Sequence, residues 1–261
     1  MEQLASLLVA GTELDMAGFL ALCGLSFIGS FITVAMGLGG GLLMLAGMAL
    51  FLTPAVMIPL HGVVQLGSNA GRAYLMRRHV VLSVLPVFAA GSILGALVGA
   101  NLFVALPVSV LQIILGLFVL YAVWAPRFKT ARPGRAAFFG VGAVAAFTTM
   151  FVGATGPLIA PFGMAITNTR QEFVGTHATF MTLQHGIKVV AFGIIGFAFG
   201  AYLPLLAGLL LSGFAGTYVG RLALNRLPEG TFRMGLKLII TLLALRVLWN
   251  GVADLDPFRS W

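Results

Sequence analysis

Ile32-Thr33-Val34-Ala35-Met36-Gly37-Leu38-Gly39-Gly40-Gly41-Leu42-Leu43-Met44-Leu45 is the stretch on which the fold turns. It lies inside an uncharged apolar run, Met16–Leu52. As one straight helix these 37 residues would extend about 55 Å, far beyond the roughly 30 Å of a bilayer's hydrocarbon core. Glycine admits backbone conformations that other residues resist, so the glycine cluster interrupts the helix. Two full crossings barely fit. A re-entrant pair of short helices meeting at the glycines fits better.

The rest of the chain agrees with a membrane setting. Of the 261 residues, 60% are hydrophobic and 8% charged, against about 25% charged in a soluble domain. Val80–Val104, Val108–Ala125 and Tyr202–Leu224 are further apolar stretches of about the length needed to cross a bilayer as helices. Alternating β-barrel segments are absent from the pattern. The net charge of +8 comes from short interhelical segments, the ordinary membrane distribution, and does not point to nucleic acid. Cys23 is the only cysteine, so neither an internal disulfide nor a cysteine metal cage is expected. The start, Met1-Glu2-Gln3, lacks the basic region of a cleavable signal.

The chain divides at a basic linker, residues 127–135, into a first unit (1–126) and a second (136–261). At an offset of 116, Gly37 falls on Gly153, Gly40 on Gly156, His61 on His177 and Arg72 on Lys188. At 121, Gly95 falls on Gly216, Gly99 on Gly220, and Leu106-Pro107 on Leu227-Pro228. All of these in order, with one small gap, indicate a duplication. The second glycine break, Gly153-Ala154-Thr155-Gly156-Pro157, lies within the apolar run Ala136–Thr167.

Charge placement sets the expected topology. Arg77-Arg78-His79 corresponds to the uncharged turn 200–204, whereas the uncharged turn at Leu106-Pro107 corresponds to a loop flanked by Arg221, Arg226 and Arg233. The bases therefore swap sides between the halves, and the positive-inside rule then implies inverted topology. The expected fold is an all-α polytopic membrane protein of two inverted repeats. Each repeat is a glycine-broken re-entrant hairpin plus three transmembrane helices, with the linker cytoplasmic. Eight ordinary crossings with parallel repeats is the alternative.

Polar side chains inside apolar helices are costly and mark candidate sites. In Ala55–Met76 they are His61, Gln65, Ser68, Asn69 and Arg72, spaced to share one helical face. In Phe173–Phe199 they are His177, Gln184, His185 and Lys188. Each has a plainer reading: interfacial histidines, a snorkelling Arg72, amides that only join helices. Lys188, well inside its apolar segment, resists that reading most. Between Asp15 and Glu172 there is no acidic residue, whereas cation carriers and carboxylate proton relays place acids within the membrane. Helices restarting after each break also aim partial positive charge toward mid-membrane. A small anionic solute is the consistent expectation. Its candidate contacts are Gly39, Gly40, Gly41, His61, Gln65, Asn69, Arg72, Thr155, Gly156, His177, Gln184, His185 and Lys188.

No catalytic or cofactor motif accompanies this set, so an enzyme is not expected, and histidines without nearby acids or sulfur do not suggest a metal. An uncoupled anion channel and a membrane-embedded enzyme subunit are the rival classes. Proton coupling, if present, needs a histidine or a solute that carries its own proton. Gly95, Gly99, Gly216 and Gly220 are read as helix-packing positions rather than site residues.

Met36-Gly37-Leu38-Gly39-Gly40-Gly41, His61-Gly62-Val63-Val64-Gln65-Leu66-Gly67-Ser68-Asn69-Ala70-Gly71-Arg72 and Arg77-Arg78-His79-Val80 together resemble the TauE/SafE family of sulfite exporters. The resemblance covers nearly the whole chain, both halves included. It implies transport of sulfite or an organosulfonate such as sulfoacetate across a bacterial inner membrane, with no cofactor.

Overall fold

A computed structural model describes residues 9, 12, 14–36, 39–125, 130, 132–223 and 229–255. Gly37, most of the basic linker, Arg226 and Leu227-Pro228 lie outside the described residues. Within them the chain forms ten α-helices and no strand. The first unit supplies α1 (Met16–Met36), α2 (Gly40–Met48), α3 (Pro54–Leu75), α4 (Leu85–Ala105) and α5 (Val108–Trp124). The second supplies α6 (Arg135–Val152), α7 (Gly156–Ile166), α8 (Arg170–Ile194), α9 (Leu203–Ala223) and α10 (Glu229–Ala253). Each unit thus reads long, short, long, long, long.

Local chemistry sets several boundaries. Thr53 is extended and Pro54 opens α3, where its missing N–H costs nothing. Thr169 Oγ1 accepts from the Glu172 N–H at the start of α8, while the Glu172 carboxylate accepts from the Asn168 N–H. This is a close variant of the capping box. Gly39 and Gly153 stand at the two breaks with φ of 108° and 76°, a region that side-chain-bearing residues enter only with strain.

The helices pack mainly across the two units: α4 with α6 and α9 with α1 each join the fourth helix of one unit to the first of the other, while α3 with α8 and α5 with α10 join helices at equivalent places in the order. In the first pair Gly95 faces the Ala143 carbonyl and Gly99 the Phe147 carbonyl, and in the second Gly216 faces Phe27 and Gly220 faces Phe31. A Cβ at any of these glycines would meet partner backbone, so close helix approach is their role. The register shows that α4 runs parallel to α6, and α9 parallel to α1. By contrast α3 and α8 run opposite ways, with Gly62 against Lys188 and Gly175 against Met76.

Side-by-side starts of α4 and α6 bring the turn Arg77–His79 to the same end of the bundle as Arg135. The uncharged turn Phe199–Tyr202, which precedes α9, lies at the other end, beside the start of α1. Among the described residues, five segments are long and apolar enough to cross a membrane: Met16–Val34, Leu82–Ala105, Arg135–Val152, Phe199–Gly220 and Met234–Ala253. Exposed Leu97, Leu211 and Leu242 on their outer faces suit contact with lipid.

The broken runs are less even than a pair of short helices. α1 and α6, at 21 and 18 residues, have crossing length, whereas α2 and α7, at 9 and 11, do not. After its break the first run folds back along α1, placing Gly40 against Gly29, Gly47 against Leu25 and Phe51 near Gly18. The hairpin therefore ends beside its own beginning.

Candidate functional site

α3 and α8 carry most of the candidate side chains. On α3 they form a ladder. His61 Nε2 donates to the Gly41 carbonyl at 3.1 Å, and the Gln65 amide approaches the same ring nitrogen at 3.2 Å. One turn on, Asn69 Nδ2 donates to the Gln65 carbonyl, and Arg72 Nη2 donates to Asn69 Oδ1 at 2.8 Å. His61 is fully buried and ties α3 to the first turn of α2, just past the first break.

At the second break the arrangement is similar. Lys188 Nζ, 0% exposed, donates to the Gly153 carbonyl at 3.2 Å, where α6 ends. A cation at a helix C-terminus complements the carbonyl dipoles there. Thr155 Oγ1 donates to Gln184 Oε1 at 2.7 Å, and His177 Nε2 donates to the Gly156 carbonyl at 3.2 Å. His61 and His177, which occupy equivalent positions, thus both bond the carbonyl of a residue in the first turn of a short helix.

The two breaks meet through His61. Its Nε2 serves Gly41, and a Cβ built on Gly153 would lie 3.3 Å from its Nδ1. His185 stands edge-on to it, ring centroids 6.2 Å apart, and is likewise buried. The partners of the two cations are neutral, Asn69 Oδ1 for Arg72 and a backbone carbonyl for Lys188. The nearest acid along α8, Glu172, sits in its first turn, sixteen residues or about 24 Å from Lys188.

A crevice of about 270 Å³ opens between α1, α3 and α9, with Ser30, Ser68, Arg72, Leu209, Phe214 and Thr217 in its wall. Through Ser30, Val64 and Ser68 it continues into a narrower space of about 10 Å³, the scale of one water molecule. That space reaches Thr33, Gln65, Gly40 and Gly41. Here α2 begins, with Gly39 as N-cap and no side-chain cap, so its first-turn N–H groups remain available to an acceptor.

The candidate set is thereby divided. Gln65, Arg72, Gly40 and Gly41 line the crevice; Thr155, Gly156, His177, Gln184, His185 and Lys188 are buried around the second break. His61 and Asn69 lie between them along α3. Ser26, Ser30, Thr33 and Thr217 line the same space and escaped the sequence reading. A signal existed for three of them: hydroxyls at 26, 30 and 33 share one face of an otherwise apolar α1.

No curated protein and no solved structure matches the chain. One family model does, over residues 22–247, a span that takes in both breaks and both polar helices. The chain belongs to the sulfite exporter TauE/SafE family, and its role is that of a transporter for sulfite or a similar anion.

Proposed function

We propose that this chain is a secondary transporter that carries a small anion, sulfite or an organosulfonate such as sulfoacetate, across the bacterial inner membrane by alternating access. The observation that carries the reading is the crevice at Arg72, which leads past Ser68 and Gln65 to the uncapped start of α2. An anion entering there meets a guanidinium, hydroxyl and amide donors, and a helix N-terminus, with no carboxylate in the wall. Deeper still lie Lys188, His185 and Gln184 at the second break. Lys or Arg at mid-membrane costs about 2.5–3.5 kcal/mol on insertion scales, and a negative guest offsets that cost.

The inverted-repeat reading draws on the helix directions. α3 opposes α8, and the first hairpin ends where it starts, which leaves three long helices per unit and an odd number of crossings. Narrowing from about 270 to about 10 Å³ before the glycine break favours a carrier over an open channel. If a proton is coupled, His61 is the group in contact with both breaks; flux indifferent to a pH gradient would overturn that assignment.

The test is sulfite and sulfoacetate flux in proteoliposomes with the parent, Arg72→Gln and Lys188→Gln. Saturable flux that falls at least about tenfold, or 1.4 kcal/mol, in each variant is the expected result. Parent-like flux in both variants would sink the site. Currents far above a carrier's turnover would replace the carrier with a channel.

A further inference from the structure

The open crevice has a counterpart in the other half of the molecule. The offsets of 116 and 121 hold in three dimensions: Gly95 faces Ala143 as Gly216 faces Phe27, and Gly99 faces Phe147 as Gly220 faces Phe31. The same offsets carry the walls of the crevice, between α1, α3 and α9, onto a region between α6, α8 and α4. Val64 becomes Phe180 and Leu209 becomes Phe88. Both phenylalanines are fully buried, with ring centroids 4.4 Å apart, and Phe138 stacks on Phe180 at 5.8 Å.

An ordinary apolar core would account for the three rings. It does not account for the polar atoms behind them. Ser92 Oγ, Thr149 Oγ1 and Gln184 Nε2 are buried without a hydrogen-bond partner in the protein. They occupy the counterparts of Gly213, Thr33 and Ser68, all crevice-lining positions. Three of the seven such atoms among the described residues therefore fall in this one region. Buried polar groups are normally paired, and these lie where an opened counterpart would bring water or an anion to them.

We propose that a second crevice lies closed between α4, α6 and α8 behind Phe88, Phe138 and Phe180, and that through it the same small anion reaches the opposite face of the bundle. The inference rests on the transporter reading. Opening one crevice closes the other, because inverted halves exchange conformations as the carrier switches. Phe88 and Phe180 fill the closed side; Leu209 and Val64, smaller at the same positions, leave the other side open.

Thiol labelling reads the two sides independently of the solute. In a Cys23→Ala background, cysteine replaces Thr217, on the open crevice, or its counterpart Ala96, which is 1% exposed. A water-soluble thiol reagent is applied to membrane vesicles. Thr217→Cys should react and Ala96→Cys should not. Exchanging the plug for its counterparts, Phe88→Leu with Phe180→Val, should raise Ala96→Cys labelling by about tenfold and lower Thr217→Cys labelling, as a shifted two-state equilibrium requires.

Val64→Phe, which puts a ring in the open crevice, should likewise lower Thr217→Cys labelling and expose Ala96→Cys. This second variant guards against a plug-less protein that does not fold. Labelling unchanged at Ala96→Cys, or rising at both positions together, overturns the proposal. Sulfite flux in the same vesicles separates the two ideas: reciprocal labelling without anion flux would sink the anion reading alone, and anion flux without reciprocal labelling would sink the second crevice alone.

Discussion

The two glycine breaks share a backbone plan and differ in surroundings. The first, at Gly39–Gly41, opens onto a crevice with serine, threonine, glutamine and arginine in its wall. The second, at Gly153–Gly156, is sealed, with Lys188 on the Gly153 carbonyl and Thr155 on Gln184. Equivalent positions hold Arg72 at the open side and Lys188 at the closed one. Arginine keeps its charge in almost any setting and reaches outward as a fork of donors, whereas lysine is a compact charge that a single carbonyl can hold. Positions 72 and 188, related by the offset of 116, thus both hold a cation while its environment differs between them.

The sharpest way to break the comparison is to add one methyl group at equivalent glycines. A Cβ at Gly40 would overlap the Gly29 carbonyl and Thr33 Oγ1, whereas at Gly156 the nearest atom is His177 Cε1 at 3.5 Å. Gly40→Ala should cost about 3 kcal/mol or more through backbone displacement, seen as loss of monodisperse protein in detergent. Gly156→Ala should stay within about 1 kcal/mol. Equal losses at both positions would mean that the tight hairpin packing belongs to both halves.

The cations come next. Lys188→Met removes a buried charge and keeps the volume, so thermal stability in detergent should hold or rise while sulfite flux falls at least about tenfold. Arg72→Gln should leave stability unchanged, because its side chain already borders the crevice, and weaken apparent sulfite affinity about tenfold. A Lys188→Met protein that melts early and transports normally would make Lys188 a structural cap on α6 and nothing more.

Much of this was legible in the sequence. Gly37–Gly41 and Gly153–Pro157 announced the interruptions because glycine and proline act locally, and α3 and α8 were marked by polar residues at helical spacing. The lengths on either side of each break were not legible: an uncharged run such as Met16–Leu52 says where a helix can break but not which piece spans. The split of the site into open and sealed halves was hidden as well. It depends on whether Val64 or Phe180 fills the space beside a glycine break, which is a matter of packing between elements far apart in sequence. The hydroxyl face of α1 went unread because serine and threonine often bond their own helix, as Thr33 does with the Gly29 carbonyl.

The smallest predicted effect sharpens the comparison from within the crevice. A Cβ at Gly71 would find only Phe214 Cε1, at 3.8 Å, so Gly71→Ala meets no clash, and an alanine in a helix interior is favoured over glycine by about 1 kcal/mol. The crevice wall gains one methyl group, small beside its volume of about 270 Å³. Melting in detergent should therefore rise slightly, while sulfite flux stays within about twofold of the parent, or 0.4 kcal/mol. A large loss of flux with the melting gain intact would place a tight contact with the moving solute at Gly71, between Ser68 and the Arg72 guanidinium, and would bring the binding position outward from the glycine break toward the basic end of the bundle.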